Sequence, residues 1–424
     1  MTITGILLSN TEVQKNLKDI FKSSNKIMFQ NRPLLGLLTK KDDLEGKTIS
    51  FLSDVAKAGG ISADFDTAYA ERTNPGSRVK WTLTTTSASN SGGVAEDNAQ
   101  IEINEKTLRF ANGDMSSFYD EFAADLVSMK QKMAERLNFY LYRNAHGGVG
   151  QVTYTATQTT VTLQIAQHHP IFEIGDALQF AANSGGVPGT IRASGAKVYI
   201  IAINRETGVL TCAASRGGVA AAIDSTITGL TTGDWIFPAG YLNAAVAGVQ
   251  DWVQGSSVTS TPFFGVDRTA DPTKLAGHIV TGTASIVNSL IDASEKAEVY
   301  GAETSYIFLN PADSKTLKKE LENKTVIYKD IPSSIEGLNI SYKAMQFEGI
   351  TVISDLCVPK SKAFLLDLST WELHTNGELA SGLKIDAGQD AVIDITSDGR
   401  LVRLKSYMQL ICRNPSRNII VNLP

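Results

Sequence analysis

The stretch from Asp114 to Ala145, DMSSFYDEFAADLVSMKQKMAERLNFYLYRNA, contains neither proline nor glycine. Within it apolar side chains recur at Met115, Phe118, Tyr119, Phe122, Leu126, Met129, Met133, Leu137 and Tyr140 or Leu141. That three-and-four spacing draws one apolar stripe along a helix, with Asp114 as its cap and HGGVG as its end. A helix of about 30 residues runs roughly 45 Å, longer than a small domain is wide. The remaining elements must therefore be built along it. Phe118, Phe122, Leu126, Met129, Met133 and Leu137 are expected to face a sheet or neighbouring elements. Their burial would contribute about 9–18 kcal/mol gross, at about 1.5–3 kcal/mol each.

On the N-terminal side, SNTEVQKNLKDIFKSSNKIM predicts an amphipathic helix capped near Asn10 or Thr11, with Val13, Leu17, Ile20 and Phe21 on one side. Pro33 breaks it, so residues 1–45 read as an arm that needs a surface to lie on. Residues 46–110 have strand character at both ends. In RVKWTLTTT, Val79, Trp81 and Leu83 alternate with Lys80, Thr82 and Thr84, and QIEIN repeats the alternation. The polar stretch between, KAGGISADFDTAYAERTNPGS, predicts an extended β-loop with Phe65 and Tyr69 as its few large side chains. Such a segment has little to fold around on its own chain. The order of this segment, with Phe65, Tyr69 and Arg72 in it, is therefore expected to come from a partner.

Past the helix segment (111–147), residues 148–243 turn rich in glycine, threonine, alanine and valine. Short β runs appear there: QVTYTATQTTVTL, ALQF, KVYIIAINRETGVLTC and WIFPAG. IGDALQF and TGDWIFPAG share a Gly-Asp turn before an apolar strand. This predicts an inserted all-β domain, a small barrel or sandwich, whose ends at Gly147–Gly148 and Asn243 read as a hinge pair. Residues 244–424 return to mixed α and β. DPTKLAGHIVTGTASIVNSLIDASEKAE predicts a helix with Leu275, Ile279, Ile286, Leu290 and Ile291 in its stripe. SYIFLN predicts a strand, NPADSKTLKKELEN a helix opened by Pro311, and GRLVRLKSYMQLICR and NIIVNL closing strands.

The chemistry-bearing residues give no constellation. Asp355, Cys357, Trp371 and His374 crowd into one run, FEGITVISDLCVPKSKAFLLDLSTWELH. Its pattern is strand, turn fixed by Pro359, return strand, so Asp355 and Asp367 are expected to cap turns. Gly46-Lys47-Thr48 resembles the tail of a P-loop, but Lys41 stands where the first glycine belongs, and a strand pattern follows. Cys212, Cys357 and Cys412 are odd in number and far apart, which predicts buried thiols in a reducing compartment. His168–His169 lacks partners at metal-ligand spacing. A net charge of −5 argues against a nucleic-acid binder, since phosphate contacts want a basic surface. The N-terminus shows no signal-peptide pattern, and no run is long and apolar enough to span a membrane. No catalytic residue, cofactor or metal site is expected.

The order of these elements resembles the major capsid proteins of tailed bacteriophages, the Hong Kong 97-type capsid fold shared with encapsulin shells. NTEVQKNLKDIF matches the arm, 46–110 the extended loop, 114–145 the spine helix, and 244–424 the axial and peripheral domains. Gly349, Val352, Asp355, Pro359 and Asp367 match a strand–turn–strand pattern of that family, and FFGVDRT (Phe263–Thr269) and LNPADSKTL (Leu309–Leu317) resemble coat-protein segments. The insertion 148–243 departs from it. The resemblance implies an α+β coat subunit that is not an enzyme. It would assemble with itself into pentamers and hexamers of an icosahedral head, formed in the host cytoplasm and ending in the virion. Scaffolding, portal and decoration proteins are the implied partners, with double-stranded DNA enclosed without sequence reading and no membrane. No coiled coil is predicted ahead of the arm, so scaffolding is expected from another chain. The rival readings are a carbohydrate-active enzyme and an adhesin-like β-rich binding protein.

Overall fold

The computed structural model describes residues 31–54, 61–70, 78–85, 87–104, 115–165, 171–282, 285–302, 305–321, 327–333, 340–347, 349–377, 392–393 and 399–424. The expected helix near Asn10, the cap Asp114, Arg72 and His168–His169 lie outside them, as do the side chains of Phe118, Phe122 and Leu126.

Pro33 starts a helix here rather than only ending one. α1 (Pro33–Leu37) places proline in the first turn, where no N–H is needed. Leu34, Leu35 and Leu38 are buried. Gly36 makes room for Tyr342, since a Cβ would lie 1.8 Å from the tyrosine hydroxyl. The chain continues as β1 (Thr39–Asp42), which adds in parallel to β18 (Trp371–Thr375). Residues 31–45, expected in an outlying arm, thus belong to the core: their leucines find apolar surface on their own chain.

β2 (Thr48–Asp54) and β3 (Arg78–Thr84) form an antiparallel hairpin, from Thr48 opposite Thr84 to Asp54 opposite Arg78. The alternation holds, with Trp81 and Leu83 buried and Lys80 exposed. Trp81 meets Trp252 edge-on at 5.0 Å and donates its indole N–H to Ser53 Oγ at 3.0 Å. The hairpin's far end carries α2 (Phe65–Ala70), none of whose residues is buried. β4 (Ala95–Asn104) does not continue this hairpin. It pairs along its whole length with β20 (Gly399–Cys412), from Ala95 opposite Met408 to Asn104 opposite Gly399. Alternation specifies a face and leaves the partner open.

α3 (Met115–Leu141) has 27 residues, about 40 Å at 1.5 Å per residue. Met129 is half-buried, Met133 and Leu137 are buried, and Asn138 to Tyr142 are enclosed on every side. The helix stops one turn short of Ala145, whose N–H donates to the Asp251 carboxylate at 2.6 Å.

β5 (Gly150–Thr153), β6 (Thr160–Leu163), β7 (Ala177–Ser184), β8 (Val187–Ile191), β9 (Val198–Asn204), β10 (Val209–Ala213) and β11 (Trp235–Pro238) form one sheet in the order β11-β5-β6-β10-β9-β7-β8. β11 also pairs with β7, which closes six of the strands into a barrel. The two Gly-Asp motifs lead into these neighbouring strands and share a cap. Asp176 accepts from Glu173 N at 3.0 Å, and Asp234 from Thr231 N at 2.9 Å. The expected hinge is instead a clamp: Asn243 N donates to His146 O, and the two side chains meet at 2.9 Å.

The last sheet contains β12 (His278–Thr281), β13 (Ser305–Leu309), β14 (Ile327–Pro332), β15 (Ser341–Phe347), β16 (Ile350–Ser354), β17 (Lys362–Asp367) and β21 (Ile419–Asn422), ordered β12-β21-β17-β13-β16-β15-β14. α4 (Ile286–Val299) and α5 (Pro311–Glu320) share an apolar cluster with it, Leu290, Ala293 and Leu317 meeting Ile307, Leu365 and Val421. Two expectations change here. Residues 271–298 are not one helix, since Ile279 sits in β12, paired with β21. β16 and β17 are not partners, since β13 lies between them, parallel to β16 and antiparallel to β17. A third sheet joins β1, β18, β20 and β19 (Val392–Ile393), with β4 on β20. The whole is α+β, mixed helix and strand in several sheets.

Leu137→Ala is expected to cost about 2–5 kcal/mol in urea unfolding; an unshifted midpoint would contradict its place in the core. Gly147 has φ +77° and lies where a Cβ would be 2.0 Å from Tyr241 O. Gly147→Ala should therefore lower the melting temperature, whereas alanine at open Gly301 should act through backbone strain alone.

Candidate functional site

The crowded run of polar residues resolves into structure. Asp355, at the end of β16, is buried and accepts from Asn138 Nδ2 (3.0 Å), Tyr142 Oη (2.9 Å) and Cys357 N (2.9 Å). Burial raises its pKa despite these three donors. Asn138 uses its other end as well, since Oδ1 accepts from Leu35 N at 3.3 Å. One amide and one carboxylate thus join α1, α3 and the β16–β17 turn. Arg143 completes that corner, donating to Cys357 O at 2.8 Å with its guanidinium 3.4 Å from the Phe139 ring centre. Burial pulls its pKa down to about 9. Pro359 is buried in the turn, and Gly349 occupies the β15–β16 turn. Asp367 caps the next turn, accepting from Ser369 N at 3.2 Å and Ser369 Oγ at 2.7 Å.

His374 is fully buried in a second network. Its Nδ1 meets Asp43 at 2.5 Å and its Nε2 meets Glu372 at 3.2 Å. Glu372 also takes Lys41 and Arg413, each at 2.7 Å. Burial opposes the Glu372 charge, but these two cations more than offset it and hold its pKa below the usual carboxylate range. The ion pairs tie β1 to β18. The two carboxylates lie on opposite sides of the imidazole, so they cannot converge with it on one substrate atom. Cys212, Cys357 and Cys412 are buried free thiols, and burial pushes Cys212 up to about 12. Among the described residues no group of three His, Cys, Asp or Glu could hold a metal ion, and no helix is long and apolar enough to cross a membrane.

The exposed apolar residues are more informative. Phe65 is 80% and Tyr69 57% exposed, and their rings stack at 6.4 Å on α2. Asp64 caps that helix through Thr67 N (3.0 Å) and Thr67 Oγ1 (2.8 Å), yet an isolated helix of six residues is unstable in water. Leu52 on β2 and Ile61 before α2 are exposed too. β14 is an edge strand of its sheet and exposes Ile327 and Tyr328.

A third group sits where barrel, helix and ribbon meet. Tyr241 follows the barrel; its hydroxyl donates to Asp97 of β4 and accepts from Arg136 Nη1 of α3 at 3.2 Å. Its ring stacks on Tyr140 at 5.4 Å. Burial raises the Asp97 pKa, partly offset by Arg136 and Tyr241. Lys132 pairs with Asp176 of the barrel at 2.5 Å. Sequence reasoning missed Asn138, Tyr142, Asp97, Arg136 and Tyr241 because each acts through a partner far along the chain. Their one local signal is that Asn138 and Arg136 interrupt or border an otherwise apolar helical stripe.

No family model matches the chain, and no curated protein matches it. Solved structures similar to it include capsids. The capsid asymmetric unit of cyanophage A-1(L) is 11% identical, with a TM-score of 0.49 over 93% of each chain. The capsid of a native GTA particle is 8% identical, with a TM-score of 0.44 over 93% of this chain and 90% of that one. The holo-SrpI encapsulin complex from Synechococcus elongatus is 9% identical, with a TM-score of 0.43 over 93% of this chain and 88% of that one.

Asp355→Ala would strand the Asn138, Tyr142 and Cys357 donors and is expected to cost about 2–4 kcal/mol in chemical unfolding; a loss under about 0.5 kcal/mol would contradict the hub. His278, whose ring lies tilted against Tyr300 at 4.0 Å, has a buried Nε2 without a hydrogen bond. Burial, with Lys296 nearby, lowers its pKa from 6.5 to about 4. The unfolded chain therefore binds this proton first, and stability falls as pH drops from 6.5 towards 4. His278→Gln should flatten that part of a melting-temperature profile, and an unchanged slope would contradict the assignment.

Proposed function

We propose that this chain is the major coat subunit of a phage head, built to be completed by copies of itself. The observation that carries the reading is the β2–β3 hairpin. Its ladder is held midway by Trp81 against Trp252, while its far end carries a helix with no buried residue and two exposed aromatic rings. A rigidly anchored projection with apolar side chains at its end gains burial only from another molecule. The long ribbon of β4 and β20 and the 27-residue helix are further extended elements of the kind that repeated subunits share.

In this reading the subunits form pentamers and hexamers of an icosahedral shell around double-stranded DNA. The net charge of −5 suits a container that does not read sequence. Scaffolding, portal and decoration proteins are the partners, and the shell is assembled in the host cytoplasm. Arg72, with Phe65 and Tyr69, would lie at the contact between neighbours. The helix positions Phe118, Phe122 and Leu126 would bury against the ribbon or a neighbouring subunit, and the barrel would face outwards as a separate domain.

Deleting residues 58–76 should leave a soluble, folded subunit by circular dichroism that closes no shells under the electron microscope. Normal particles from this deletion would remove the support for the reading.

A further inference from the structure

The inserted barrel is attached to the body by more than its two chain ends. Lys132 on α3 reaches Asp176 at one Gly-Asp turn, and one turn further along the helix Arg136 donates to the Tyr241 hydroxyl past the last strand. The same hydroxyl donates to Asp97 on β4. Tyr241 is therefore the one side chain, among the described contacts, whose single polar atom touches both the long helix and the ribbon. Its ring stacks on Tyr140 at 14° and also meets the Arg136 guanidinium, 5.1 Å from the ring centre. Ala95 and Met408 of the ribbon and Leu137 and Tyr140 of the helix belong to one apolar cluster, which is incompletely filled at this point. A small cavity lined by Ala95, Asp97, Arg136, Leu137, Tyr140 and Tyr241 lies between them, and Arg136 Nε, buried, makes no hydrogen bond there. Close-packed side chains fix two elements by shape, whereas a polar joint beside a void fixes them through its hydrogen bonds.

We propose that Tyr241 is a latch by which the inserted barrel sets the angle between α3 and the β4–β20 ribbon. The barrel is then a brace for the subunit's two longest elements as well as an outer domain. The latch itself stands on the subunit alone. Its consequence rests on the coat-subunit reading: where helix and ribbon carry contacts between subunits, their angle sets shell curvature.

Tyr241→Phe keeps the ring against Tyr140 and Arg136 and removes only the hydroxyl. Hydrogen exchange of the unassembled full chain, read by mass spectrometry, should then be about tenfold faster in peptides covering 95–104 and 399–412 and in those covering 124–141. Peptides from 150–213 should be unchanged. Asp97→Asn, which retains an oxygen acceptor but no charge, should fall between wild type and Tyr241→Phe. Unchanged exchange in the ribbon, or a change confined to residues next to Tyr241, would overturn the latch. In assembly mixtures the Tyr241→Phe shells should show a broader range of diameters under the electron microscope. Shells of wild-type diameter with faster ribbon exchange would overturn the curvature consequence. A wild-type chain that forms no shells would count against the coat reading, with the exchange result still deciding the latch.

Discussion

A carboxylate removed from water must have its lone pairs occupied, and Asp355 imposes that requirement on the centre of this molecule. Its three donors come from the last turn of the long helix and from the turn it begins. Because Asn138 also binds Leu35, the same contact fixes where the chain enters the body. Each donor left unpaired would cost about 1–3 kcal/mol. Helix, entry segment and the sheet that holds β16 and β17 therefore have one low-energy arrangement, and the apolar packing of Tyr142 against Phe308 and Phe364 fills in around it.

From that fixed centre the molecule extends elements that it does not itself cover. Trp81, Trp252, Phe263 and Phe264 form an aromatic block against the middle of the β2–β3 ladder, with Trp252 5.0 Å from Phe263 and 5.1 Å from Phe264. The block transmits the rigidity of the core to the hairpin, while Phe65 and Tyr69 at its far end stay in solvent. The His374 network performs a comparable task for β1, where the Lys41–Glu372 ion pair and the Asp43–His374 contact add to its parallel ladder with β18. Firm anchors combined with uncovered ends are what the proposed coat-subunit reading asks of a subunit.

What the sequence conveyed follows from what local periodicity can encode. The stripe through Met133 and Leu137, the alternation through Trp81 and Leu83, and the β character of 148–243 are each properties of neighbouring residues. The turn-capping roles of Asp355 and Asp367 are local too. Strand partnership is not. β4 finds β20 three hundred residues later, and β13 inserts between β16 and β17 from outside their run. Ile279 fits a helical stripe and a strand equally well over four residues, and the neighbouring β21 decided between them. The same limit hid the Asn138–Asp355 and Tyr241–Asp97 contacts, whose chemistry is ordinary and whose separation is long.

On the coat-subunit reading, the chain buries its projecting surfaces only among copies of itself. Negative-stain electron microscopy of the purified full-length chain, concentrated alone and in the presence of a scaffolding fraction, tests it most directly. Closed, roughly spherical shells of uniform wall are the predicted result. Dispersed 45.6 kDa subunits at every concentration and in both conditions, or unbranched fibres, would contradict it.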